Sequence, residues 1–270
     1  MLKITDAEFD RLVTKMHKEF GIDLRKKRVL IEGRLNSLLS ERGFDSYTKF
    51  LDMVFADRTG QEITGLINRL TTNHTYFMRE PQHYDYLKNE LLPYFERENS
   101  SKQINIWRAG CSSGEEPYTT AMLLAEHLGA RKPLWNTKIQ ATDISQRVLA
   151  KAKEGIYSKD GMKDLPPEWV RKYFIPVDET RYKVSPKIQA EVNFGIFNLM
   201  GEISPLKKFD LIFCRNVMIY FDMPTKIALV NRFFEVTKPG GYLFIGHAES
   251  IQRDVTGYEY IKPAIYRKPL

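Results

Sequence analysis

The sequence predicts an α/β protein: a mostly parallel sheet covered on both faces by helices, preceded by an all-helical segment. Three observations carry this. Residues 1 to about 72 repeat apolar positions at the helical spacing. From about Ile104, short β-branched or aromatic runs alternate with helical stretches, the rhythm of parallel strands joined by helical crossovers. The first of those runs passes directly into a glycine-bounded loop and a helix.

In the N-terminal segment Thr5 and Glu8 form a capping box. Phe9, Leu12, Val13, Met16 and Phe20 then follow at helical spacing until Gly21 stops the helix. A second helix turns Val29, Leu30, Leu35, Leu38 and Leu39 inward and ends near Gly43. Asp45 suits the cap of a third, with Tyr47, Phe50, Leu51, Val54 and Phe55 inward. A fourth carries Ile63, Leu66, Ile67 and Leu70. Short amphipathic helices with short connections make a small bundle.

The second part opens with a strand over Ile104–Ala109 and a helix over Glu115–Leu128. A strand over Thr137–Ala141 ends in Thr142-Asp143, and a helix runs from Ser145 to about Lys153. Val192–Phe197, Phe209–Cys214 and Tyr242–Ile245 read as strands, with a helix from about Pro224 to Thr237 between the last two. Tyr258–Ile261 and Ala264–Arg267 suit a closing hairpin. Tyr173–Val177 and Arg181–Ser185 break the rhythm and suggest a small antiparallel excursion.

Composition narrows the class. Hydrophobic residues are 43% and charged residues 28% of the 270, as in a soluble globular protein able to bury its own core. The longest apolar runs, such as Ala121–Ala125 and Val217–Phe221, are five residues. A spanning helix needs about 20, so direct membrane insertion is not expected. Cys111 and Cys214 do not make a disulfide framework, and a reducing cytoplasm is the expected setting. The net charge of +7 favours an acidic partner without naming it.

The loop Gly110-Cys111-Ser112-Ser113-Gly114-Glu115-Glu116 carries the main chemical signal, because open parallel sheets bind ligands at the carboxyl ends of their strands. No Gly-Lys-Ser/Thr follows, so it is not a phosphate loop. Two acids opening the helix would repel a pyrophosphate but suit a ligand with a positive group. Asp143, at the tip of the second strand, suits a ribose-hydroxyl acceptor, and also a cap role beside Ser145. Together these residues point to an adenosine-bearing cation, and S-adenosylmethionine fits.

Longer motifs then resemble one family. Leu70–Pro81, Ala109–Tyr118, Ala141–Ser145, Phe213–Phe221 and Pro239–Gly246 are similar, in order, to segments of the CheR-type chemotaxis receptor glutamate O-methyltransferases. The resemblance spans nearly the whole chain. It implies a Rossmann-like S-adenosylmethionine-dependent methyltransferase domain with a mostly parallel seven-stranded sheet, a small inserted antiparallel β-subdomain and an all-helical N-terminal domain. The implied division is 1–72 for receptor docking, 73–83 as a linker reaching the cofactor site, and 84–270 for methyl transfer, with the insertion at about 173–190. The implied cofactor contacts are Asn73, Thr75, Arg79, Gly110, one of Glu115 and Glu116, Asp143, Asn198, Leu199, Arg215 and Asn216. The sequence leaves open which glutamate makes the contact.

The resemblance further implies methylation of glutamate side chains on cytoplasmic receptor helices, giving methyl esters and S-adenosylhomocysteine in chemotactic adaptation. A glutamate is ionised near neutral pH and can attack directly without a general base. Arg79 suits either the substrate carboxylate or the cofactor's own. Tyr220 suits steering the attacking oxygen or covering the methyl group. Arg25-Lys26-Lys27-Arg28 and Arg34 form the densest basic region, by itself a solvated helix face; the resemblance implies a basic helix that docks acidic receptors. Tyr173–Val184 holds no glycine, whereas family members that bind a receptor tether carry a glycine-containing loop there, so tether-independent action is expected. A cytoplasmic monomer recruited to receptor arrays is expected, with no metal and no nucleic acid. The alternatives weighed are a nucleic-acid methyltransferase, against which Asn216-Val217-Met218-Ile219 lacks the usual prolines, and a non-catalytic cofactor-binding scaffold.

Overall fold

The computed structural model describes residues 2–204 and 206–270. Four helices come first: α1 (Asp6–Phe20), α2 (Arg28–Glu41), α3 (Tyr47–Ala56) and α4 (Gln61–Leu70). Then α5 (Pro81–Tyr86), a π-helical turn at Leu87–Leu91 and α6 (Leu92–Glu98) lead into the sheet. The remaining order is β1 (Ile106–Ala109), α7 (Glu115–Leu128), β2 (Ile139–Asp143), α8 (Gln146–Glu154), β3 (Ile156–Ser158), α9 (Pro167–Tyr173), β4 (Phe174–Pro176), β5 (Arg181–Val184), α10 (Pro186–Gln189), β6 (Val192–Ile196), β7 (Phe209–Cys214), α11 (Met223–Val236), β8 (Thr237–Ile245), β9 (Glu259–Lys262) and β10 (Ile265–Arg267).

The seven-stranded sheet has the order β6-β2-β1-β7-β8-β10-β9. The pairings from β6 to β8 are parallel, and β10 pairs antiparallel with both β8 and β9. The sheet changes winding direction at β1 and β7, so their carboxyl ends open a crevice. A small antiparallel sheet, β3-β5-β4, stands apart. No helix among the described residues is long and apolar enough to cross a membrane.

The central strands are buried on both faces, and alternate residues feed two cores. On one face Ile212 and Cys214 meet Trp107, Phe233 and the bundle residues Leu12, Met16, Ile31, Leu35 and Leu51. On the other, Leu211 and Phe213 meet Tyr118, Met122, Ile139, Phe244 and residues of α5 and α6. The bundle therefore shares a core with one face of the sheet. Polar contacts reinforce the join. Ile22 bridges Phe221, and the Asp23 N–H donates to the Tyr220 carbonyl at 2.8 Å. His17 Nε2 lies 2.9 Å from Asp222 Oδ2.

Several local expectations need correction. Val29 is 83% exposed, and the wholly buried Ile31 takes the inward place on α2. Ser46 caps α3, its hydroxyl accepting the Lys49 N–H, while Asp45 pairs with the Lys49 ammonium at 2.8 Å. The antiparallel insertion reaches back beyond 173, because β3 at Ile156–Ser158 pairs with β5. The helices over 81–98 are not foreseen at all. The first strand begins at Ile106 rather than Ile104.

Candidate active site

At the crevice, β1 ends in a loop whose shape demands glycine twice. Gly110 has φ +74°, and a Cβ there would strike the Val217 side chain. Gly114 has φ +96°, and a Cβ would lie 2.9 Å from both Ala152 Cβ and the Tyr157 hydroxyl. Left-handed backbone and lack of room exclude other residues at both positions. The loop is laced to β2: the Gly110 and Cys111 N–H groups donate to the Thr142 carbonyl at 2.8 and 2.9 Å.

Asp143 stands at the tip of β2. Its Oδ2 accepts the Ser112 N–H and its Oδ1 the Ser145 N–H, each at 2.9 Å. Burial nevertheless pushes its carboxyl up from the ordinary aspartate value. Each oxygen keeps a lone pair for a ligand donor. Ser145, not Asp143, is the N-cap of α8.

Helix geometry points the two adjacent glutamates about 100° apart. Glu116 lines the cleft. Glu115, the other candidate, does not. It is turned down onto the Ser113 hydroxyl, which donates to its carboxylate at 2.7 and 2.9 Å, and burial pushes its pKa up. Glu116 anchors a buried charge cluster. Its Oε2 faces Arg108 Nη1 at 3.0 Å and Arg215 Nη1 at 3.4 Å. Those two guanidiniums are 2% and 1% exposed, so they need this counter-charge. Arg108 also lies with its guanidinium 3.4 Å from the centre of the Phe213 ring.

The facing wall comes from the end of β7. Arg215 pairs with Glu80 at 3.2 Å and donates to the Arg79 carbonyl. Asn216 takes φ +57°, and its side-chain oxygen is buried without a hydrogen-bond partner. The segment after α4 closes the cleft. Asn73 donates to Asn68 Oδ1 at 2.6 Å, Thr75 donates to Glu116 Oε1 at 3.4 Å, and Ser112 Oγ donates to the Asn73 carbonyl at 3.1 Å. Arg79 donates to the His74 carbonyl at 2.6 Å and makes no ion pair with Glu80 or Asp85. Tyr220 is a latch on this segment: its hydroxyl accepts the Thr72 N–H at 2.8 Å and donates to the Thr72 carbonyl at 3.0 Å.

The resulting cleft lies at the carboxyl ends of β1, β2 and β7. It brings together Asn73, Thr75, Arg79, Gly110, Glu116, Asp143, Asn198, Leu199, Arg215, Asn216 and Tyr220. Asn198 spends its amide on the Glu19 carbonyl at 2.7 Å, joining the cleft to the end of α1. Ile144 and Phe197 wall one part, and Phe20, Ile22 and Phe221 another. Glu80, Glu249, Arg108 and Asn68 are structural members that the sequence reading missed. Only Glu80 carried a signal, as part of the Leu70–Pro81 motif.

The basic region departs from expectation. Arg25, Lys26 and Lys27 lie in the turn before α2, and Arg28 opens the helix. Three of the five cations are engaged internally. Arg25 pairs with Asp23 and Asp222, at 2.8 and 3.0 Å. Arg28 pairs with Asp6 and stacks on Phe9. Arg34 donates to the Arg69 and Thr71 carbonyls, at 3.2 and 3.3 Å. Lys26 and Lys27 are exposed. Cys111 and Cys214 are buried free thiols with pKa values pushed up by burial. Glu80, His83 and His247 place ligand-type atoms within 4.8 Å of one another. Arg215 already pairs with Glu80 there, and burial with the nearby guanidiniums pushes His83 down to about 2.

Comparison with known proteins agrees with this architecture. Residues 7–71 match the family described as CheR methyltransferase, all-alpha domain, and residues 73–266 match CheR methyltransferase, SAM binding domain. A chemotaxis protein methyltransferase of Borreliella burgdorferi is 44% identical over 99% of this chain and 96% of its own length. One from Pseudomonas aeruginosa is 33% identical over 97% and 96%. One from Escherichia coli is 35% identical over 92% and 86%. With these matches across both parts and a cleft built from the loop, the strand-tip aspartate and the Arg215-Asn216 turn, the chain belongs to the CheR methyltransferase family and uses S-adenosylmethionine.

Proposed function

We propose that this protein methylates glutamate side-chain carboxylates on cytoplasmic helices of chemoreceptors, forming methyl esters and S-adenosylhomocysteine. The observation that carries this reading is Arg79. Its guanidinium is fixed at the cleft by the His74 carbonyl and has no carboxylate partner among the described residues, whereas Arg108 and Arg215 are neutralised by Glu116 and Glu80. A free cation at the cleft suits an anionic acceptor.

S-adenosylmethionine, when bound, supplies a methyl group on a sulfonium and requires only an anionic oxygen to receive it. The open lone pairs of Asp143 suit a ribose diol, and Glu116 suits an ammonium. Asn73, Thr75 and Leu199 border that space, as do Arg215 and Asn216. A glutamate acceptor, with an ordinary pKa of about 4.3, needs no general base at neutral pH. Tyr220 has its hydroxyl committed to Thr72, so it contributes its ring as a wall rather than a proton. Phe20, Ile22 and Phe221 limit water at the reacting centre.

Docking follows the same charge logic. Asp23 and Arg25 tie the basic turn to Tyr220 and Asp222, so exposed Lys26 and Lys27 stand beside the cleft. An acidic receptor helix would be steered there. That contact would recruit a cytoplasmic enzyme to receptor arrays, and one chain supplies every group invoked.

The test is transfer of a labelled methyl group to a receptor cytoplasmic fragment, followed by alkali, with Asp143→Ala alongside. Label released as methanol, and absent with the variant, is expected. Alkali-stable label, or none at all, would overturn the glutamate reading.

A further inference from the structure

The turn after β7 carries two of the groups just invoked, Asn216 and Tyr220. Asn216 is a non-glycine residue in left-handed backbone, which persists only where the surroundings hold it. The group that holds it lies outside the cleft. Glu249 follows β8, is 9% exposed, and faces backbone N–H groups rather than a cation. Its Oε2 accepts the N–H of Asn216 at 3.0 Å and that of Gly246 at 2.6 Å, and its Oε1 accepts the N–H of Ile219 at 3.2 Å. One carboxylate therefore pins both ends of the turn 216–219 to the end of β8.

The site is built for this role. The Glu249 N–H donates back to the Gly246 carbonyl at 2.9 Å, which fixes the glutamate's own backbone. Gly246 comes so close that a Cβ would lie 2.9 Å from the Asn216 backbone nitrogen. An ionised carboxylate is an acceptor at every lone pair, whereas an amide would turn an NH₂ group against one set of N–H donors.

We propose that Glu249 is a positioning residue for methyl transfer: it sets the Asn216–Tyr220 turn against the cofactor without touching the reactants. The inference rests on the reading above that Asn216 faces S-adenosylmethionine. It deepens that reading by assigning the turn's geometry to a remote carboxylate.

The test uses the full chain and measures S-adenosylhomocysteine binding by calorimetry, with KM for S-adenosylmethionine and kcat. Glu249→Gln should raise the dissociation constant about tenfold and raise KM in parallel, the scale of a lost hydrogen bond to a charged group. Gly246→Ala, which displaces Asn216 while keeping the carboxylate, should do the same. Leu35→Ala, a destabilising change in the bundle core, serves as the structural control and should leave the constant unchanged. Either loop variant, folded and binding with the wild-type constant, would overturn the proposal. So would an equal loss in Leu35→Ala. If Glu249→Gln does not fold, Gly246→Ala decides. Product binding needs no acceptor, so a wild-type chain that binds it yet methylates no receptor fragment would sink the glutamate reading and leave this test standing.

Discussion

The two walls of the cleft face each other but are assembled differently. The β1–β2 wall is local. Ser112, Asp143 and Ser145 bond one another across neighbouring strand ends, and the glycines are dictated by the loop they sit in. The β7 wall is gathered from afar. Glu80 and Glu249 reach Asn216, and Thr72 reaches Tyr220, across 136, 33 and 148 positions of sequence. The local wall is a motif, and the distant wall exists only after folding. Damage to the first should therefore act mostly on the ligand, and damage to the second on ligand and fold together.

Glu116 sits between the walls, and its loss is the largest expected effect. Glu116→Ala strips the shared counter-charge from two buried guanidiniums, which should cost about 3–5 kcal/mol in denaturant unfolding. A loss under about 1 kcal/mol would mean that Glu80, the Tyr84 hydroxyl that accepts from Arg108, and the ring faces beside both guanidiniums already compensate the arginines.

The local wall should yield a nearly pure ligand phenotype. Asp143→Ala should weaken S-adenosylhomocysteine about 100-fold by calorimetry, equal to about 2.7 kcal/mol. Its pH signature is opposite for ligand and fold. Burial raises the folded pKa above the ordinary aspartate value of 3.8, so the folded chain binds this proton more readily than the unfolded one. The stability this group contributes therefore grows as pH falls through the folded pKa and is lost as pH rises. Ligand affinity should instead fall on acidification, with a midpoint above 3.8, and Asp143→Asn should remove that dependence.

The distant wall gives a smaller, mixed effect. Tyr220→Phe removes both bonds to Thr72 and should cost about 0.5–1.5 kcal/mol in stability, with a parallel fall in kcat/KM. A wild-type kcat/KM would show that the ring alone suffices. The smallest change separates neighbours: Glu115→Gln should alter ligand affinity no more than about twofold, because its carboxyl faces Ser113. A loss as large as that of Asp143→Ala would reverse the assignment of the two glutamates.

The same contrast explains what could be read from residues alone. The Thr5–Glu8 capping box forms with both of its bonds, and the bounds Glu115–Leu128 and Phe209–Cys214 hold, because local rules fix them. Asp143 and the glycine loop lie where a strand-tip pattern puts them. Which glutamate faces the cleft depends on the start phase of a helix, which composition does not encode. The strand at Ile156–Ser158 is three residues long, too short to show a period, and exists because Arg181–Lys183 lies beside it. A charge run does not show which of its members are free: Arg34 looks like docking surface but bonds carbonyls at the junction. Glu249 is one acid among 34 acidic residues until Asn216 is brought to it.

The core common to the bundle and the sheet has a consequence for inheritance. Two family matches meet near residue 72, as if two cassettes had been joined, yet Leu12 and Met16 pack in the same cluster as Trp107 and Ile212. A chimera cut there would leave an oily scar on both halves. The helical half and the S-adenosylmethionine-binding half must therefore drift together: the outer faces of the helices can be repainted, but the part cannot be exchanged.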